Sequence, residues 1–101
     1  MTEPLSVVFL RRASRETEAI DEWWRSNRPS SPDLFVTELE AMLGAAALMP
    51  TLGAPARSER APGVRRLLLR STRYHVYYRA RDRSLEVLAV WHATRGSGPS
   101  L

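Results

Sequence analysis

The chain has 101 residues, a formal net charge of +4 and no cysteine, and all fifteen of its Lys and Arg positions are arginine. This length favours a single domain, because two cores of half the size would each be too small to offset chain entropy. The absence of cysteine excludes disulfides and thiolate zinc sites, and the absence of lysine excludes Schiff-base and lysine general-base mechanisms.

Charge is divided unevenly along the chain. Residues 1–56 hold five arginines and eight acidic residues, whereas residues 57–101 hold ten arginines and three acidic residues. A strongly basic half attracts acidic proteins or nucleic-acid phosphates, and arginine forks onto both carboxylate and phosphate; the alternative is a solvated surface without a partner. We favour a large charged partner.

The first predicted element is a short strand at residues 5–10. It is partly β-branched and aromatic, and it is bounded by Pro4 and a polar run. Five or six apolar residues before Arg11, without a basic region ahead of them, are too few for a signal peptide or a membrane span. We therefore expect a soluble, cytoplasmic protein.

A first amphipathic helix is predicted after this strand, with Ser14 as its N-cap. Its apolar side carries Ile20, Trp23 and Trp24 at helical spacing, and the polar run that begins at Asn27 ends it. Adjacent helical positions lie about 100° apart, so we expect one tryptophan in the core and the other on the flank.

A second helix is predicted to begin at Ser31 and Pro32 and to end before Pro50, since proline fits the first helical position. One face of this helix is apolar. Its residues are Phe35, Leu39, Met42, Leu43 and Ala46.

Residues 51–63 contain several glycine and proline breaks and are predicted to form a loop that exposes Arg57, Glu59 and Arg60. Three strands follow as an antiparallel meander at residues 64–70, 73–81 and 84–93, with Asp82 and Arg83 in the last turn. The middle strand is predicted to alternate between a wet, basic face and a core face. The wet face holds His75, Tyr77, Arg79 and Arg81, and the core face holds Tyr74, Val76, Tyr78 and Ala80.

These elements predict an α+β fold. It consists of a short N-terminal strand, a two-helix hairpin and a three-stranded antiparallel meander packed on the helices. We expect one domain over residues 1–95 and a flexible C-terminal tail over residues 96–101.

The order and spacing of several short motifs resemble the RelE/ParE toxin superfamily of bacterial type II toxin–antitoxin systems, over nearly the whole chain. The motifs are the helix at residues 13–24 after a short strand, Leu48-Met49-Pro50-x-x-Gly53, Pro62-Gly63-Val64-Arg65-Arg66-Leu67, Tyr74-x-Val76-x-Tyr78-Arg79 and Val90-x-His92-x-x-Arg95. The resemblance implies a toxin that forms a hetero-oligomer with, and is neutralised by, a cognate antitoxin. It implies no cofactor, metal or membrane.

Two activities occur in the superfamily. RelE-like members cleave mRNA on the ribosome, whereas ParE-like members poison DNA gyrase by binding. RNA cleavage needs a base, an acid and cations for the phosphorane charge, and the candidates here are Glu59, His92 and, as cations, Arg66, Arg79 or Arg81. The other interpretation of Glu59 is an ion-pair partner of its neighbouring arginines, and that of His92 is a strand-end histidine bonded to the loop.

We predict the ParE-like branch. In the glutamate–histidine RNases of the superfamily the histidine lies at the C-terminal end beside a tyrosine, whereas here Ala93 follows His92 and nine residues continue beyond it. The resemblance then implies a toxin that traps gyrase in its cleavage complex, with the ribosome-dependent mRNA endonuclease as the alternative and an inactive regulatory member as a third possibility. Ile20, Trp23 and Trp24 are predicted to bind the antitoxin. The predicted target-binding surface is Arg57, Arg60, Arg66, Arg79, Arg81 and Arg95.

Overall fold

The structure is a computed structural model that describes residues 3–57, 61–94 and 99–101. These residues contain two helices, five strands and a short 3-10 helix, Pro50–Leu52. In chain order the strands and helices are β1 Ser6–Phe9, α1 Arg11–Asn27, α2 Leu34–Leu48, β2 Ala54–Pro55, β3 Arg65–Leu69, β4 Tyr74–Arg81 and β5 Ser84–His92.

The five strands form one sheet in the order β1-β5-β4-β3-β2. β1 runs parallel to β5, and every other neighbouring pair is antiparallel. The predicted α+β class and the three-stranded meander are confirmed. Within the described residues the sheet has one strand more than predicted, because Ala54 and Pro55 pair with Arg66 and Arg65. A two-residue strand that contains a proline carries no alternation for a sequence reading to detect.

α1 begins earlier than predicted and α2 begins later, whereas both helices end where predicted. α1 begins at Arg11 instead of after Ser14, because the N–H of Leu10 donates to the carbonyl of Val87 and the edge strand passes directly into the helix. Ser14 lies within the first turn, where its N–H donates to the carbonyl of Leu10. α2 begins at Leu34, since the residues after Ser31 form a turn in which the N–H of Leu34 reaches the Ser31 carbonyl at 3.3 Å.

The main core lies between the two helices and one face of the sheet. Every second residue in the first part of β4 contributes to it, and these residues are Tyr74, Val76 and Tyr78. The predicted apolar face of α2 packs against them. The helices contribute Ala13, Phe35, Leu39, Leu43 and Ala46, and the sheet contributes Leu67, Leu69, Tyr74, Val76, Tyr78, Leu85, Val87 and Val90. Burial of this apolar area is the main stabilising contribution to the fold.

The opposite face of the sheet, the open face, carries a second and smaller apolar cluster. Tyr77 is 6% exposed there and packs with Ala61, Val64 and Ala89, so the prediction that Tyr77 is solvent-exposed was wrong. Ala61 and Val64, which precede β3, pack against the Tyr77 ring on the open face. Ala80, predicted in the core, is exposed because it lies at the margin of the sheet, one residue before the end of β4.

The last turn of the meander and the C-terminal residues are both defined by specific contacts. Asp82 and Arg83 form the predicted tight turn, with φ values of 49° and 64° that match a two-residue hairpin turn. Leu101 packs against the open-face cluster, and a guanidinium N–H of Arg12 donates to the carbonyl of Ser100. The flexibility of the tail stays a prediction, as does the domain limit at residue 95, which lies outside the described residues.

Candidate functional site

Two of the predicted contact arginines, Arg66 and Arg79, lie on the open face. Arg66 is opposite Tyr77 in the β3–β4 pairing, and Tyr77 belongs to the open-face cluster. Arg79 follows the buried Tyr78 by one residue, and alternation along the strand turns it away from the main core. The register, which the sequence left open, therefore brings Arg66 and Arg79 to one face.

Arg79 is engaged within the sheet. Its Nε donates to Glu86 Oε1 at 2.8 Å, and the two side chains are 19% and 20% exposed. Glu86 is its direct partner in the β4–β5 register, so the pair is fixed by the strand alignment. The charge of Arg79 is thus compensated locally, and Arg66, which is exposed, offers the more available guanidinium.

The other predicted contact arginines fall into two groups. Arg57 and Arg81 are exposed, and Arg81 lies 3.8 Å from the carboxylate of Asp82 in a pair too exposed to hold it firmly. Arg60 and Arg95 lie outside the described residues, as does Glu59. The contribution of these three residues stays a prediction.

His75 was not predicted as a site residue, yet it lies beside the basic side chains of the open face. Its ring is edge-on to that of Tyr77, with the centroids 6.3 Å apart. Burial lowers the pKa of His75 below its ordinary value, and the nearby charges of Arg66 and Arg73 lower it further. The strand alternation indicated the face of His75, but its cationic neighbours on β3 and the following turn depend on a register that the sequence does not show.

His92 ends β5 on the opposite face. It pairs with Tyr74 in the register, and the two rings meet edge to face with centroids 5.0 Å apart. Its Nδ1 accepts the N–H of Thr94 at 3.2 Å and lies 2.6 Å from the Thr94 hydroxyl. This is the strand-end histidine bonded to the following turn that the sequence suggested.

Among the described candidate RNase residues, His92 is not brought together with Arg66. His92 shares the face of Tyr74, which belongs to the main core, whereas Arg66 shares the face of Tyr77 in the open-face cluster. An acid and a phosphate-binding cation must reach one scissile phosphate, and here the sheet separates them. The described part of the chain does not assemble this predicted catalytic set.

A cavity of about 780 Å³ lies between α1 and the end of β5. Trp23 and Trp24 line it from α1, whereas Trp91 of β5 borders it and packs against the open-face cluster. Its aromatic and apolar walls include Ile20, Trp23, Trp24, Tyr74, Trp91 and His92. This cavity contains every residue that the sequence predicted to bind the antitoxin.

The two adjacent tryptophans of α1 differ in burial as predicted. Trp24 packs against the main core, whereas Trp23 is 44% exposed. Their rings meet edge to face with centroids 5.7 Å apart, and the guanidinium carbon of Arg28 lies 5.1 Å from the Trp23 ring centroid. Trp23 and Arg28 together form the mouth of the cavity.

Two other kinds of site are absent from the part of the chain that the structure describes. No group of three or more His, Cys, Asp or Glu side chains is placed to hold a metal ion there. No helix among the described residues is long and apolar enough to cross a membrane.

Comparison with protein families decides the relationship. Residues 7–96 match the model of the ParE toxin of type II toxin–antitoxin systems. The chain belongs to this ParE toxin family. It is thus a type II toxin of the ParE/RelE superfamily, as its sequence motifs predicted. A comparison with curated protein sequences finds no match.

Solved structures share the fold of this ParE-family toxin. A chain of the chromosomal ParDE toxin–antitoxin system from P. aeruginosa aligns with a TM-score of 0.71 at 21% identity, over 90% of this chain and 98% of that one. A chain of the toxin–antitoxin complex RelBE2 from Mycobacterium tuberculosis aligns with a TM-score of 0.59 at 24% identity, over 91% and 94% of the two chains. At these identities the alignments establish the fold.

Proposed function

We propose that this ParE-family toxin inhibits DNA gyrase by binding, holds the enzyme in its cleavage complex so that double-strand breaks accumulate, and is neutralised in the cytoplasm by a cognate antitoxin. The observation that carries the proposal is the separation of His92 from Arg66 by the sheet. A toxin that acts by binding needs an accessible charged surface and no converging acid and base. The open face meets that requirement.

The proposed gyrase-contact surface is centred on Arg66. The exposed Arg57 and Arg81 extend it, and we include Arg60, Arg79 and Arg95 from the sequence. Planar guanidinium groups bind carboxylates and phosphates through paired hydrogen bonds, which suits contact with an acidic protein surface or with the DNA that gyrase holds. The ion pair with Glu86 gives Arg79 a supporting position within this surface.

The antitoxin is proposed to cover Ile20, Trp23 and Trp24 on α1. Trp23 is exposed although it is large and apolar, and such residues are enriched at the centres of protein interfaces. The toxin would thereby carry its target-binding and antitoxin-binding residues on different surfaces. An antitoxin on α1 would neutralise the toxin by adding bulk that prevents docking, or by extending from α1 onto the open face.

Growth inhibition by single variants tests the proposal. Arg66→Glu should abolish toxicity, because it reverses the charge at the centre of the contact surface, whereas His92→Ala should leave toxicity within about twofold of wild type, since a binding toxin needs no proton donor. Arg15→Glu is the matched control, an exposed arginine of α1 away from the open face. Loss of toxicity in His92→Ala, with normal folding and with cleaved mRNA in wild-type cells, would replace the proposal with the ribosome-dependent endonuclease.

A further inference from the structure

The cavity between α1 and the end of β5 is large enough to receive side chains of a partner. It is a groove open to solvent, and its volume of about 780 Å³ is typical of a site for a ligand or for large side chains of a partner. Its walls also include Trp23 and Trp24, two of the three tryptophans of the chain. Tryptophan is the residue most enriched where a few contacts dominate protein association.

The inner wall of this cavity is preformed. Ile20, Trp24 and Tyr74 all pack against the main core, so their rotamers are set by packing. Glu16, which is on the same wall, accepts the N–H of Val90 at 3.0 Å through one oxygen and pairs with Arg12 Nε at 3.3 Å through the other. The carboxylate therefore accepts a backbone N–H of β5 beyond the point where β1 pairs with this strand. Its negative charge is compensated by Arg12.

The mouth of the cavity differs from its inner wall, because it carries a cation that no carboxylate of the described residues pairs with. Arg28 is exposed beside the Trp23 ring, and among the described residues no carboxylate lies within ion-pair distance of its guanidinium. An occupant with an apolar side chain for the interior and a carboxylate at the rim satisfies both features at once.

We propose that the cavity receives a large apolar anchor side chain of the antitoxin, and that an acidic residue next to this anchor pairs with Arg28. This inference rests on the proposed toxin–antitoxin pairing and specifies its chemistry. It adds Tyr74 and His92 to the antitoxin-binding surface, neither of which the spacing on α1 pointed to. The apolar anchor is desolvated against aromatic walls, and the acidic residue sets the orientation of the segment.

Tryptophan fluorescence is a direct probe of this site when Trp91, which packs against the open-face cluster, is replaced by phenylalanine, because the two remaining tryptophans, Trp23 and Trp24, line the cavity. The experiment uses full-length toxin and full-length purified antitoxin in which any tryptophan has been replaced by phenylalanine. Complex formation should shift the emission to shorter wavelength and should reduce quenching by acrylamide, since the anchor excludes water and quencher from the indoles.

Substitution of two exposed residues at the mouth tests the same inference, and these substitutions should not disturb folding because both side chains are exposed. Trp23→Ala and Arg28→Glu should each weaken antitoxin binding by about tenfold or more, as expected for a central anchor pocket and its charge partner. Met49→Ala and Arg15→Glu, an exposed apolar residue and an exposed arginine away from the cavity, should change the affinity by about twofold or less.

A tight, neutralising complex with unchanged emission and quenching would overturn the inference while leaving the proposed function intact. The same conclusion would follow if Trp23→Ala bound as well as Met49→Ala. Failure of the proposed target would appear elsewhere, as free toxin that leaves gyrase unaffected, and would not alter the fluorescence result.

Discussion

The hydroxyl of Tyr78 on β4 ties the 3-10 helix to the sheet. It accepts the N–H of Gly53 at 2.8 Å and donates to the carbonyl of Pro50 at 2.7 Å. A Cβ on Gly53 would lie 2.8 Å from the Tyr78 oxygen and 2.9 Å from the Arg66 carbonyl. Glycine is thus required by close approach, since its φ of −76° is open to any residue. The Pro50-x-x-Gly53 spacing of the sequence serves this contact.

Gly53→Ala should therefore destabilise the toxin by about 1–3 kcal/mol through overpacking, and Tyr78→Phe by about 1–3 kcal/mol because it leaves a buried donor unpaired. Urea unfolding followed by circular dichroism measures both changes. Gly44→Ala on α2 is the control: nothing lies within 4 Å of its added Cβ, and helix propensity should make it stabilising by about 0.5–1 kcal/mol. Equal stability of the two alanine variants would contradict the close-approach account.

Glu38 on α2 should stabilise the turn between β3 and β4. Its carboxylate accepts the N–H of Ser71 at 2.8 Å and both the N–H and the hydroxyl of Thr72, at 3.0 Å and 2.7 Å. Glu38→Gln should cost about 1–3 kcal/mol, the range for hydrogen bonds to a charged group, whereas Glu40→Gln on the exposed side of α2 should be nearly neutral.

The same carboxylate predicts a pH dependence. Burial alone would raise the pKa of Glu38, but the hydrogen bonds from Ser71 and Thr72 outweigh it and lower the pKa below 4.5. Its stabilisation is therefore complete above pH 4.5 and is lost as the pH falls through the lowered value. The stability difference between wild type and Glu38→Gln should shrink over that interval, and a difference that persists unchanged in acid would contradict the assignment.

His75 should titrate below its ordinary pKa of 6.5, chiefly because of burial and secondarily because of Arg66 and Arg73. Since the unfolded chain then binds the proton more tightly, wild type should lose stability relative to His75→Gln as the pH falls through 6.5. Imidazole resonances followed by NMR give the value directly. Arg66→Gln should raise it partway towards 6.5, whereas a midpoint above 6.5 in wild type would refute the described environment.

Variants of the Arg79–Glu86 ion pair test its contribution to the stability of the toxin. Arg79→Glu alone should destabilise the toxin by about 1–3 kcal/mol, because it sets two carboxylates opposite each other in a half-buried position, and adding Glu86→Arg should restore most of that loss.

Charge reversal at Arg79 and Arg95 together should reduce toxicity while antitoxin binding remains measurable. Unchanged toxicity in a well-expressed double variant would refute the basic contact surface.

The fold was predictable wherever one period dominates a segment. Phe35, Leu39 and Leu43 define the buried side of α2, and the turn at Asp82 fixed the hairpin of β4 and β5. The helix starts and β2 were not predictable, because they depend on contacts such as Leu10 with Val87 that join residues far apart in the chain.

The sites were predictable only in part for the same reason. Ile20, Trp23 and Trp24 could be chosen from helical spacing, but their partners Tyr74 and His92 come from two other strands. Likewise, the arginines of the open face were recognisable by composition, whereas the separation of Arg66 from His92 required the strand register. Register and long-range packing carry the functional geometry here.

The most direct measurement is a supercoiling assay of gyrase on plasmid DNA with purified, antitoxin-free toxin, run beside a ribosome-programmed mRNA cleavage assay. A gyrase poison should give loss of supercoiling, linear plasmid after treatment with detergent and protease, and intact mRNA. Cleaved mRNA with unaffected gyrase would refute the proposed function and would make Glu59 and His92 the first residues to mutate.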